Sequence, residues 1–228
     1  MPTIKFFRIA HLSAIICLFF SLPTAADDKT DAAALVSSAQ MTFQNFVSDP
    51  NMGWFRDNLG DAKALVIVPE LYKAGFIFGA SGGNGLVLAK DKLTEAWSYP
   101  SFYMMSSVTG GLQIGGEVAE VIMLVMTETG MNSLLGTKVQ LGGDVSVAVG
   151  PVGAGAQAAT VDILQFTRTK GIFGGLTLEG AVITPRDDLT RAFYGKPSDP
   201  VDVLIRHNVM NKNANNLREL VFQTASGK

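Results

Sequence analysis

The chain has 228 residues, 47% of them hydrophobic and 17% charged, enough apolar material for a buried core and too much for a disordered chain. Eighteen Lys and Arg oppose 20 Asp and Glu, so there is no basic excess to hold a nucleic acid, and none is expected as a partner. One Cys and two His exclude a cysteine-rich zinc site or a disulfide framework, and no cofactor is expected.

Residues 1–26 read as a secretory signal. Lys5 and Arg8 precede an apolar run from Leu12 to Leu22, and Pro23-Thr24-Ala25-Ala26 offers small residues for cleavage. The apolar run is about half the roughly 20 residues of a spanning helix, and retention as an uncleaved anchor is the alternative. Cys17 lies inside that run after Ile15 and Ile16, unlike a lipobox cysteine. The expectation is therefore a periplasmic or secreted product after cleavage near Ala26, with peripheral membrane association, forming one domain over residues 27–228.

Asp31 to Ser48 predicts a helix, with Leu35, Ala39, Phe43, Phe46 and Val47 at three- and four-residue spacing and Asp49-Pro50 as its stop. A short helical turn is expected between Asn51 and Gly60. From residue 63 to 184 the period changes to short β-rich runs bounded by Gly, Pro, Asn or Asp. They are Ala64–Val68, Gly75–Gly79, Gly85–Ala89, Ser101–Val108, Gly111–Gly115, Val118–Met126, Val139–Val149, Asp162–Thr169 and Ile172–Ile183, with a helix at Glu128–Leu135. Residues 187–224 turn helical again, over Asp188–Tyr194, Pro200–Arg206 and Asn213–Phe222. Twenty of the 24 glycines fall between Gly75 and Gly180, which predicts bent strands in a small barrel or a strongly coiled sheet. A membrane barrel needs longer strands, of about 9–11 residues, than most of these runs. The fold class expected is α+β, with the first helix packed on a mostly antiparallel, glycine-rich sheet and short C-terminal helices.

Two motifs imitate enzymes. Gly79-Ala80-Ser81-Gly82-Gly83 has the form of a nucleophile elbow, with His207 as the base left once residues 1–26 are removed, but no helix follows the serine. A glycine-rich hairpin turn explains it better, and a Ser81–His207 esterase is the remote alternative. Gly153-Ala154-Gly155-Ala156-Gln157-Ala158 copies a dinucleotide fingerprint with no room for its helix. No catalytic residue and no metal ligand is assigned, and the protein is read as non-catalytic.

Binding residues come from charge and amphipathicity. Lys63, Lys73, Lys90, Lys92, Lys138, Arg168 and Lys170 lie near predicted strand ends and could rim a headgroup site, although lysines at strand ends are usually only solvated. Phe43 and Phe46 give the first helix an apolar stripe that either inserts at a membrane surface or faces the core, the commoner arrangement. The lipid-binding set is therefore Phe43, Phe46, Lys63, Lys73, Lys90, Lys92 and Lys170.

Several ordered blocks resemble the SYLF lipid-binding domain family. They include Lys63-Ala64-Leu65-Val66-Ile67-Val68-Pro69, Lys73 to Gly79 (KAGFIFG), Trp97 to Tyr103 (WSYPSFY), Gly111-Leu112-Gln113-Ile114-Gly115, Val121 to Met126, Gly150-Pro151-Val152-Gly153 and Lys170 to Gly180 (KGIFGGLTLEG). The resemblance runs from about Ala33 to Tyr194. It implies a non-enzymatic module, since eukaryotic members bind phosphoinositide-rich membranes and some fungal ones bundle actin, whereas secreted bacterial members look like envelope proteins. No Lys or Arg lies between Lys29 and Arg56, so the first helix lacks a basic face for an anionic membrane. The signal segment argues against actin as a partner. The expectation is a periplasmic envelope protein that binds phospholipid or the membrane surface, or alternatively a protein-interaction module with an envelope protein partner.

Overall fold

The computed structural model describes residues 25–75, 78–110, 115–150, 161–169, 172–173 and 178–227. Most of the predicted signal segment, nearly all of the predicted strand at 111–115, the 153–158 motif and Lys170 lie outside these residues.

Helix α1 spans Ala25–Ser48. Ala32, Val36, Ala39, Phe43 and Phe46, three or four residues apart, are all buried, so one stripe of the helix faces the protein. Asp49 ends it by accepting a hydrogen bond from the Asn51 amide (2.8 Å) ahead of Pro50. A 3-10 turn (Pro50–Met52) and α2 (Gly53–Leu59) follow.

The sheet contains β1 (Ala64–Gly75), β2 (Phe78–Ala89), β3 (Ser101–Gly110), β4 (Gly115–Val125), β5 (Val139–Gln140), β6 (Val147–Val149), β7 (Ile163–Thr169), β8 (Ile172–Phe173) and β9 (Val182–Pro185). Its order is β5-β9-β3-β2-β1-β4-β7-β6, with β8 beside β7. Every pairing is antiparallel except β6 with β7. The sheet curls strongly into a half-barrel, which realises the coiled-sheet form of the α+β expectation.

Both faces of the central strands are buried, in alternation. Leu65, Ile67, Leu86, Leu88, Ile122 and Leu124 point to the side of α1, α2, α4 (Asp187–Tyr194) and α6 (Asn215–Ala225). Val66, Val68, Val87, Val121 and Met123 point the other way, onto α3 (Glu128–Leu134), α5 (Pro200–Leu204) and the strand residues Val139 and Ile183. The sheet is thus the middle layer between two hydrophobic cores.

Several predicted runs change their bounds. The runs at Gly75–Gly79 and Gly85–Ala89 belong to the long hairpin β1–β2, so Gly79 to Gly83 is strand, neither an elbow nor a turn. Glycine is required there because β1 bulges between Ile67 and Tyr72. A Cβ at Gly83 would stand 2.3 Å from the Glu70 carbonyl oxygen, and one at Gly85 2.6 Å from that of Ile67. The predicted strand Val139–Val149 splits into β5 and β6. Gly142 takes φ +78° and Asp144 accepts a hydrogen bond from the Gln140 amide (2.8 Å), which closes a turn between them. The run Ile172–Ile183 likewise divides, with Gly180 at φ +83° just before β9.

Candidate functional site

Phe43 and Phe46 sit in the core and contact Phe55 at ring-centroid distances of 6.0 and 6.2 Å. Both are fully buried, so neither reaches a membrane from the folded protein. The Arg168 guanidinium covers Phe46 and pairs with Glu120, which also accepts a hydrogen bond from Thr42 (3.1 Å). That cluster fastens α1 to β4 and β7.

Three of the predicted lysines do converge. Ala64 pairs with Ala89 in the β1–β2 hairpin, which brings Lys63 and Lys90 side by side, and the Lys90 amide donates to the Lys63 carbonyl (2.8 Å). Lys92 follows in a tight turn organised by Asp91. One carboxylate oxygen of Asp91 accepts from the amides of Leu93 (3.0 Å) and Thr94 (2.7 Å) and from the Thr94 hydroxyl (2.8 Å). These bonds hold the Asp91 carboxyl below its usual pKa, with those from Thr94 foremost. They also present Leu93 to solvent at 94% exposure.

The lysines rim a cleft of about 930 Å³. Ala89, Met131, Leu135, Leu204 and Ile205 supply its apolar lining, and Ile205 is 48% exposed. Lys63 and Lys92 share Glu128, the first residue of α3, at 3.2 and 2.7 Å. The hydrogen bond from Lys92, with Lys63 behind it, lowers the pKa of the Glu128 carboxyl. Lys90 turns its ammonium to the Gly60 carbonyl. Asp61, Asp91, Glu95 and Glu128 also border the cleft, so its charges nearly cancel. A cleft balanced in this way exerts little long-range pull on a charged ligand, so any contact it makes is local.

The other candidates do not join this site. Lys73 lies towards the far end of β1, Lys138 stands just before β5, and Arg168 is engaged with Glu120. Ser81 pairs its hydroxyl with that of Ser107 (2.7 Å), whereas His207 lies in the cleft, 3.8 Å from Asp91. Ser81 and the cleft residue Lys90 are about 30 Å apart at roughly 3.3 Å per residue of strand, so no Ser81–His207 dyad forms. Among the described residues no group of His, Cys, Asp or Glu is arranged to hold a metal ion, and no helix is long and apolar enough to cross a membrane.

Leu93, Glu128, Ile205 and the Asp91–His207 contact are not among the site residues expected from the sequence. Leu93 carried a signal, as a lone large apolar residue inside the charged run Lys90 to Glu95. Glu128 and Ile205 carried none, because only the tertiary fold brings α3 and the end of α5 to the β1–β2 hairpin.

A family model described as Ysc84, Las17-binding protein actin regulator, matches residues 106–224, more than half of the chain. The chain is 35% identical to LAS seventeen-binding protein 3 of Saccharomyces cerevisiae over 148 residues, which covers 61% of this chain and 32% of that protein. It is also 35% identical to Protein YSC84 of the same organism over 143 residues, 59% of this chain and 30% of that protein. The SH3 domain-containing YSC84-like protein 1 of Homo sapiens is 29% identical over 170 residues, 72% of this chain and 49% of that protein. The chain therefore spans about a third to a half of the length of these relatives. The match corrects the expectation that argued against actin. That expectation rested on the N-terminal segment, whereas the likeness to an actin-regulator family lies in the folded domain itself. The chain belongs to the SYLF family, through its Ysc84 domain.

Proposed function

We propose that the chain is a non-catalytic binding module that attaches to phospholipid through the cleft rimmed by Lys63, Lys90 and Lys92. The observation that carries this reading is the pairing of exposed Leu93 and Ile205 with those lysines at the mouth of an apolar-lined cleft. Apolar residues beside cations suit the boundary between headgroups and acyl chains. Glu128 is no obstacle to a phosphate. Exposed ion pairs contribute about 0–1 kcal/mol each, so Lys63 and Lys92 exchange one oxyanion for another at small cost. The N-terminal pattern of residues 1–26 adds export to this reading, and the membrane met is then that of the cell envelope. Flotation of the full chain with anionic and with zwitterionic phospholipid vesicles tests it. Binding to anionic vesicles that weakens only moderately with salt is expected, and no flotation with either removes the reading.

The names of the relatives favour a second reading, in which the partner is a protein. Relatives named for Las17 binding, and a family model described as an actin regulator, support contact with actin or with an actin-regulatory protein of that kind. Co-sedimentation of the full chain with actin filaments tests this, and a chain that stays in the supernatant at all filament concentrations contradicts direct filament binding.

A further inference from the structure

The far half of the sheet, away from the lysine cleft, has a face on the side where α1 packs that no described residue covers. Two adjacent cross-strand rows form it. Val108, Ala80, Ala74 and Gly116 are successive register partners, and so are Ser106, Gly82, Tyr72 and Val118. Neither row carries a charge. Val108 is 83% exposed, Tyr72 55% and Val118 42%, while Ala74, Ala80 and Gly116 are exposed as well. Tyr72 and Gly82 continue from this face into a groove of about 530 Å³ against the N-terminal half of α1.

The rim of that groove is acidic. Asp28 and Asp31 line it from α1, and Glu70 lines it from the bulge of β1, where it accepts a 2.6 Å hydrogen bond from the Tyr72 hydroxyl. Its cation, Arg186, pairs with Asp188 (2.7 Å) and donates to Asn84 (2.9 Å), and it offsets Asp28 in part, so one Arg stands against the acids of this rim. Over the whole of α1, Lys29 is the single basic residue.

From these observations we infer a second binding surface, one that takes an amphipathic, basic helix of a partner protein alongside α1. A face in which Gly, Ala and Ser separate the larger side chains accepts a helix closely, as the neighbouring part of the same side already accepts α1. The uncharged rows receive the apolar stripe of the incoming helix, and Asp28, Asp31 and Glu70 receive its Lys or Arg side chains. Charge separates this occupant from two others. An anionic membrane is repelled by the three carboxylates. A second copy of the chain would set one acidic rim against an equally acidic neighbour.

Fluorescence anisotropy with the full chain and a labelled 18-residue helical peptide of Leu and Lys tests the inference, with a Leu and Glu peptide of the same pattern as control. Preferential binding of the Lys peptide is expected. It should weaken about tenfold in Asp28→Asn/Asp31→Asn/Glu70→Gln and at high salt. Val108→Asp should abolish it, with an unchanged circular dichroism spectrum because Val108 is almost fully exposed. Equal binding of the two peptides, or affinities unmoved by both variants, overturns the inference. Sedimentation that shows a dimer lost in Val108→Asp overturns it too, in favour of self-association. Lys63 and Lys92 lie outside this surface, so a failed flotation experiment leaves the result of this one readable.

Discussion

Lys92 Nζ lies 2.7 Å from Oε2 of Glu128, and this ion pair joins the turn after β2 to the first residue of α3. Lys63 reaches the other carboxylate oxygen at 3.2 Å, so one acid occupies two of the three lysines at the cleft mouth. The site holds a stand-in for the anion it is proposed to bind. Neutralising the stand-in should therefore free the lysines. Glu128→Gln is expected to strengthen binding to anionic vesicles about fivefold, the equivalent of roughly 1 kcal/mol for one charge near an anionic surface. Vesicle titration measures it, and weaker binding by Glu128→Gln would show that the carboxylate itself is the binding group.

The aromatic stripe of α1 belongs to stability. Phe55 joins Phe43 and Phe46 to Phe166, with its ring centroid 5.2 Å from that of Phe166, and all four rings are fully buried. Phe43→Ala should destabilise the fold by about 3–5 kcal/mol in urea unfolding. A Phe43→Ala protein as stable as the wild type but unable to bind vesicles would return the stripe to the membrane surface.

Asp162 provides a pH-dependent fastening. Its carboxylate accepts hydrogen bonds from the Thr127 hydroxyl and from the amide (2.9 Å) and hydroxyl (2.7 Å) of Ser146, tying the start of α3 and the segment before β6 to β7. The Thr127 hydroxyl, followed by Ser146, holds the carboxyl below its ordinary pKa. The folded state thus binds fewer protons than the unfolded one around pH 4. The resulting stability is complete above the unfolded value of about 3.9 and is lost as pH falls through the lower folded value. Asp162→Asn should cost about 1–3 kcal/mol at pH 7, with a gap to wild type that narrows below about pH 4. Thermal unfolding across that range measures the gap, and one that is constant down to pH 2 would contradict this role.

Gly85 tests the bulge. A methyl group there meets the Ile67 carbonyl oxygen at 2.6 Å and the Val68 side chain at 2.8 Å, and the backbone of β1 has little room to retreat between two filled cores. Gly85→Ala should lose about 1–3 kcal/mol of stability by overpacking. Unchanged urea unfolding would mean that the two strands separate there without strain.

The legible parts of this chain were those set by local chemistry. The stop of α1 at Asp49-Pro50, the strand at Ala64–Val68 and the helix at Glu128 announced themselves through capping, β-branching and turn residues. The division of Val139–Val149 was written in Gly142-Gly143-Asp144, but its apolar neighbours outweighed that signal. The purpose of Phe43 and Phe46 was not legible, because a stripe at 3.6-residue period has the same pattern facing a core or a membrane. Lys63 and Lys90 become neighbours once the β1–β2 hairpin is recognised. Glu128 and Ile205 reach them only through the path of the chain after β4 and through α5, long-range placements that no spacing encodes.

The most direct test of the account is flotation on anionic phospholipid vesicles of three exposed-site variants of the full chain. Leu93→Asp and Lys63→Ala/Lys92→Ala change the lysine cleft, and Val108→Asp changes the opposite end of the sheet. The two cleft variants should lose most of their flotation, and Val108→Asp should float like the wild type. Loss of flotation in Val108→Asp, with the cleft variants unaffected, would put the membrane at the other end of the sheet and contradict the central claim.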